Sequence, residues 1–235
     1  MKETVLDAFK QARKAISVVK LKNASTVKQA LAALAPVMGT IEEVLGEAFP
    51  ALLEEILAAG GAFAIEALDA KGIRASAPAP VAIKFEFDVT NPKAKAWIEE
   101  HSTELIKDIS ETTRESLKDI ITSAFEDGRT VDDIAEDIFD LVENEARAER
   151  IARTETMYAS NEGQSLLWDQ AVEEGLLTGK ERQVWITTPD DRLCPICEPM
   201  EGVEIALDGE FDVDGEGIDG PPAHPNCRCT VGLVV

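Results

Sequence analysis

Cys194-Pro-Ile-Cys197 and His224-Pro-Asn-Cys227-Arg-Cys229 decide how the rest of this chain is read. All four cysteines and one of the two histidines lie in these two short stretches. A Cys-x-x-Cys turn aims backbone N–H groups at two thiolates on one ion, and a second knuckle downstream completes a tetrahedral set. The expectation is one structural zinc ion that folds a loop-rich C-terminus. Cys194, Cys197, His224, Cys227 and Cys229 offer five ligands for four positions. One set joins Cys194 and Cys197 to His224 and Cys227, with Pro195 and Pro225 stiffening the two knuckles. The other uses Cys227 and Cys229, which share a strand face, and leaves His224 outside. The first is slightly favoured, and both stay open. Disulfides need an oxidising compartment, and no signal peptide opens the chain.

Around the knuckles the grammar is that of strands and loops. Gln183-Val-Trp-Ile-Thr-Thr188 alternates and reads as a strand, as does the run after Cys229. Residues 201–222 are rich in Gly, Asp, Glu and Pro and read as an irregular loop with room for a short hairpin. Asp212-Val-Asp-Gly resembles the start of a calcium loop but lacks the spacing and terminal Glu of one. Upstream the periodicity is helical. One helix runs from Asn91-Pro92 to Gly128, a second follows Thr130-Val-Asp-Asp133, which has capping-box spacing, and a third covers about 145–174 with a bend near Asn161-Glu-Gly163. Residues 1–70 are helices punctuated at Pro36 and Gly39 and interrupted near Gly60-Gly61. The expected class is therefore α+β: a mainly helical N-terminal region and long helices, then a small β- and loop-rich zinc-knuckle part. The expected division is 1–70 (partner-binding helices), 71–84 (a Pro-containing linker) and 85–235.

The net charge of −22 argues against a protein that coats nucleic acid over most of its surface. It is unevenly spread. Residues 1–28 carry seven basic residues against Glu3 and Asp7, a net of +5, which leaves −27 on the rest. Lys10, Arg13, Lys14, Lys20 and Lys22 are the candidates for contact with an acidic partner or DNA. No apolar run approaches the roughly 20 residues needed to span a bilayer, so no membrane partner is expected.

Several motifs now stand in order: Asn91-Pro92, Gly128-Arg-Thr130, Arg150-Ile-Ala-Arg-Thr-Glu155, Trp185-x-Thr187, Asp191-Arg-x-Cys-x-x-Cys197 and Pro221-Pro-x-His-Pro-Asn-Cys-Arg-Cys229. The set resembles the phage Mu protein F-like minor head proteins over about residues 85–235. The resemblance implies a structural, non-enzymatic component of a tailed-phage or prophage head, synthesised in the host cytoplasm and present in the virion at the portal vertex in several copies. Its implied partners are the portal protein, other head proteins and packaged DNA. It also implies that Arg150, Arg153 and Glu155 matter structurally, packing beneath the knuckles and pairing with Asp190, Asp191 or Arg192. Some members of the family carry toxin or enzyme domains beyond the cysteine motif; with six residues after Cys229, none is expected here. The competing readings are a zinc-knuckle nucleic-acid-binding protein and a metal-dependent enzyme built on Arg153, Glu155 and the Cys/His cluster.

Overall fold

The computed structural model describes residues 1–14, 16, 26–76, 85–142 and 144–235, so Lys20, Lys22 and most of the expected linker lie outside the described residues. The described chain is mostly helical, with a small sheet region at its C-terminus. The helices are α1 (Lys2–Lys14), α2 (Val27–Ala70), the short α3 (Ile73–Ser76), α4 (Pro92–Glu126), α5 (Val131–Val142) and α6 (Glu145–Glu173). The strands are β1 (Arg182–Ile186), β2 (Glu204–Ala206), β3 (Phe211–Val213), β4 (Glu216–Ile218) and β5 (Thr230–Val234).

Local chemistry sets the helix ends as expected. Asn91 accepts the Ala94 N–H at 2.9 Å, which caps α4, and Pro92 takes the first helical position. Gly128, at φ +64, closes α4 with the Arg129 N–H returning to the Ala124 carbonyl. Thr130 and Asp133 form a reciprocal capping box: Thr130 N–H to Asp133 Oδ2 at 3.0 Å, Asp133 N–H to Thr130 Oγ1 at 3.2 Å.

Three expected interruptions do not end a helix. α2 runs unbroken through Pro36, Gly39, Pro50 and the Gly60-Gly61 pair, and α6 runs unbroken through Asn161 and Gly163. In α2 the buried residues Leu34, Val37, Ile41, Leu45, Phe49, Leu53, Leu57, Ala64 and Leu68 recur every three or four positions, with one step of seven across Gly60-Gly61. Burial of such a stripe outweighs the roughly 3 kcal/mol that an interior proline costs. The glycines of α2 and α6 serve close packing instead. A Cβ on Gly60 would lie 2.1 Å from the Ser160 carbonyl oxygen, and one on Gly163 would lie 2.1 Å from that of Leu57. By length and composition α2 is also apolar enough to cross a membrane, its best 18-residue window averaging a hydropathy of 1.5 with 33% of the window buried. This differs from the expectation that no stretch approaches a span, because Glu42, Glu43, Glu47, Glu54 and Glu55 divide its apolar residues into short runs.

The described residues fall into two compact units, 1–51 with 99–152 and 52–98 with 153–235. These do not follow the linear division at 71–84, because α2, α4 and α6 each contribute to both. In the first unit α1 buries Val5, Leu6, Ala8, Phe9 and Ala12 and packs on α5. Lys10, Arg13 and Lys14 stand on the exposed face of α1, with the Arg13 guanidinium 4.5 Å above the Phe139 ring. The second unit holds the sheet. β1 lies between β2 and β5, antiparallel to both, with Trp185 opposite Val231 and Gln183 opposite Ile205. β3 and β4 form a hairpin around Asp214-Gly215, both at positive φ, as a two-residue turn of this hand requires. The calcium-like run is this hairpin turn, with Asp212 Oδ1 accepting the Gly215 N–H. Phe85 is buried in the same core, but residues 85–88 join no strand.

Candidate metal centre

The two knuckles fold by local bonds before any ligand is considered. The Cys197 and Glu198 N–H groups both return to the Cys194 carbonyl, which makes the first turn. The second closes through the Cys227 N–H on the His224 carbonyl, with Asn226 at φ +63, a conformation that Asn tolerates better than most residues. The Asn226 N–H also donates to Thr154 Oγ1 at 3.0 Å, so the Arg-Thr-Glu segment of α6 touches the second knuckle directly.

All five candidate ligands converge. His224 Nε2 lies 3.0 Å from Cys194 Sγ and 3.2 Å from Cys197 Sγ, and Cys197 Sγ lies 3.7 Å from Cys227 Sγ. Two triads, Cys194–Cys197–His224 and Cys197–Cys227–Cys229, each bring their ligand atoms within 4.8 Å of one another, and Cys197 belongs to both. Cys197, Cys227 and Cys229 are buried, while Cys194 and His224 are half-buried. The space among these side chains is about 30 Å³, enough for one ion or water. The group could hold a metal ion, and the soft thiol-rich donor set fits one that favours sulfur and imidazole.

Electrostatics divides the thiols. Burial, followed by the neighbouring Cys194, pushes the Cys197 thiol up, and the hydrogen bond with Cys227, followed by burial, pushes Cys229 up. The same Cys229 contact holds Cys227 well below the ordinary thiol range. Burial works against the Cys194 thiolate, but the Cys197 N–H at 3.3 Å and further donors carry it below the usual value. His224 Nδ1 sits 2.9 Å from the Pro225 carbonyl; burial disfavours the charged ring, yet that carbonyl and Cys194 raise it overall. A divalent cation would supply the positive charge that lets the remaining thiols ionise.

A second set of residues holds the knuckles in place. Arg228, between two candidate ligands, meets Asp190 with both guanidinium nitrogens, Nη1 to Oδ2 at 2.5 Å and Nη2 to Oδ1 at 2.7 Å. This bidentate contact leads the causes that hold the Asp190 carboxyl well below the usual carboxylate range. Arg192 also reaches Asp190, at 3.3 Å. The charges of α6 (Arg150, Arg153, Glu155) are expected to pair with Asp190, Asp191 or Arg192; at Asp190 the structure gives Arg228, which is carried on the knuckle itself, and Arg192. Asn161 completes the frame, its amide donating to the Pro221 and Cys229 carbonyls at 2.9 and 3.3 Å while its oxygen accepts from Thr230 Oγ1 at 2.7 Å. The sequence marks Asn161 only as part of an expected bend. The only signal for its role is an Asn on the apolar side of a helix.

The chain matches the phage Mu protein F-like proteins over residues 115–232, half of its length and a span that includes all five candidate ligands. It belongs to that family. The matched segment begins within α4, downstream of residue 85 where the motifs first suggested it. Among curated proteins, the NAD(+)–arginine ADP-ribosyltransferase EFV of Enterococcus faecalis is 30% identical over 57% of this chain. The Mu F-like chain spans only 28% of that relative's length. No solved structure matches.

Proposed function

We propose that this chain is a structural minor head protein of a tailed phage or prophage, and that its knuckles form a staple around one zinc ion. Cys194, Cys197 and Cys227, with either His224 or Cys229, would hold the metal, which would supply a cross-link and no chemistry. The observation that carries this reading is the five-ligand cluster inside the family segment, with space for one ion. Nine carboxylates and no basic residue lie between positions 198 and 220, which favours a protein role over a nucleic-acid-binding zinc module. On this reading the protein resides in the virion, at the portal vertex, in several copies. The exposed Lys10, Arg13 and Lys14 of α1 meet an acidic partner or packaged DNA.

The test is mass spectrometry of purified particles combined with cross-linking to the portal protein. Cross-links from α1 or α2 to portal are expected, and absence of the chain from particles made in cells that express it would overturn the proposal. A second reading, an arginine-modifying transferase, is favoured only by the Enterococcus relative. Transfer of labelled ADP-ribose from NAD⁺ to an arginine-containing acceptor by the purified chain would replace the structural reading with that one.

A further inference from the structure

Away from the metal ligands, the second unit has a polar cleft of about 220 Å³ whose walls include Tyr158, Asn161 and Asp169 of α6, Gln183 of β1, and Asp208 and Asp219. Gln183 is the anomaly. It lies on the core-facing side of β1 with Trp185 and is only 3% exposed. Its amide nitrogen donates to the Ala206 and Leu207 carbonyls at 3.4 and 3.3 Å. Its oxygen is buried and has no hydrogen-bond donor. Exchanging the amide oxygen and nitrogen would set the oxygen against two carbonyls, so the orientation is fixed. A buried acceptor without a donor is unfavourable, and it identifies what the cleft lacks.

The wall is otherwise rich in acceptors, with carboxylates at Glu162, Asp169, Asp208 and Asp219 and no basic side chain. Asp208 and Asp219 are exposed carboxylates, and among the described residues neither is in an ion pair. Asp169 already shares its charge with Lys93 at 2.9 Å. Asn161 has both ends of its amide occupied. Tyr158 adds an aromatic wall, stacked on Trp97 with centroids 6.0 Å apart and planes at 19°. The ligand must therefore bring donors and positive charge. The volume falls below the roughly 300–1,000 Å³ of cofactor and nucleotide pockets, so one side chain suits it better. Among the described residues no three carboxylates of this cleft converge within 4.8 Å, so a bare divalent ion would find no chelating set. A guanidinium spreads five N–H donors over a plane and stacks on aromatic faces.

We propose that this cleft binds a guanidinium group, the side chain of one arginine in a basic peptide segment. The arginine donates to Gln183 Oε1 at the floor, its charge meets Asp208 and Asp219, and its plane lies against Tyr158. This site is separate from the zinc staple and goes beyond the head-protein reading.

The test is a titration of the full, ¹⁵N-labelled chain with Nα-acetyl-arginine amide, followed by NMR, beside the lysine and citrulline counterparts and calcium. The arginine compound is expected to shift the Gln183 side-chain amide and the backbone amides of Tyr158, Asp208 and Asp219, and to saturate. The uncharged citrulline compound should leave them unmoved, and lysine should bind more weakly. Neutralising both rim carboxylates (D208N with D219N) should weaken arginine binding roughly tenfold, while a remote E136Q control should not. Equal shifts with citrulline, tighter binding of lysine, unchanged affinity in the neutralised variant, or saturation by calcium alone would each overturn the proposal. The citrulline comparison uses the unaltered chain, so it decides the matter even if the double variant does not fold.

Discussion

Arg147 is a guanidinium packed among neutral groups. Its Nη2 donates to the Ile109 carbonyl and to the Thr112 and Thr113 hydroxyls at 3.3, 2.9 and 2.8 Å, and its head lies 5.1 Å above the Phe9 ring. Its Nη1 is buried without an acceptor, and burial, followed by the nearby Arg150, lowers its proton affinity. The oxygens it contacts are not dependent on it, because Thr112 and Thr113 already bond the Asp108 and Ile109 carbonyls. Desolvation and hydrogen bonding therefore nearly cancel, and the packing of the stem remains. Arg147→Met should stay within about 1 kcal/mol of the parent chain, whereas Arg147→Ala should cost about 2–4 kcal/mol through the lost volume. Urea unfolding checks both values, and a Met variant as unstable as the Ala variant would show that the charge dominates. Nothing local marks Arg147 among the arginines of α6, because the groups that meet its head come from α1 and α4, far away in the chain.

The helices separate what was legible in the sequence from what was not. Asn91-Pro92, Gly128 and the Thr130–Asp133 box were readable because each cap is completed within a few residues. The continuity of α2 and α6 was not, because their glycines answer to partners about a hundred positions away. Glycine in a helix interior costs up to about 1 kcal/mol against alanine, so Gly39→Ala, whose added Cβ meets nothing within 4 Å, should stabilise by up to that amount. Gly163→Ala should reverse the sign. Its Cβ meets a backbone oxygen that cannot swing aside, and the cost should reach about 3 kcal/mol, the upper end for overpacking. Thermal or urea unfolding of the pair of variants tests the contrast. The capping box adds a pH dependence. The Thr130 hydroxyl and N–H hold the Asp133 carboxyl below its ordinary value. Its contribution is thus fully present above the unfolded carboxylate pKa of about 4 and is lost as the pH falls through the lower folded value. Asp133→Asn should lower the melting temperature at pH 7, and the difference from the parent should shrink steadily below about pH 4. A difference that does not change with pH would assign the effect to shape rather than charge.

At the scale of the molecule, each of the two compact units draws on residues far apart in the chain. The candidate ligands were legible because their spacing is local. Their support was not, because it comes from Asn161, Thr154 and the Asp190–Arg228 pair. In the second unit the core that encloses Trp185, Phe211, Met200 and Val231 also contains Cys197, Cys227 and Cys229. Trp185 is fully buried and meets the Phe211 ring edge-on at 5.1 Å. The two sheets beside this core are small, β2, β3 and β4 having three residues each, and strands this short add little stability of their own. If zinc occupies the knuckles, its binding free energy becomes folding free energy for this part of the chain. Removing the metal with a strong chelator under reducing conditions should then expose the amides of β1, β2 and β5 to hydrogen exchange and abolish the near-ultraviolet signal of Trp185. The amides of α1 and α5 in the other unit should keep their protection. Added zinc should restore the sheet signals at one equivalent per chain, and Cys197→Ser, which removes the ligand common to both triads, should prevent that recovery. Full protection of the sheet in metal-free protein would mean that the thiols are ordinary core residues and that the fold needs no staple.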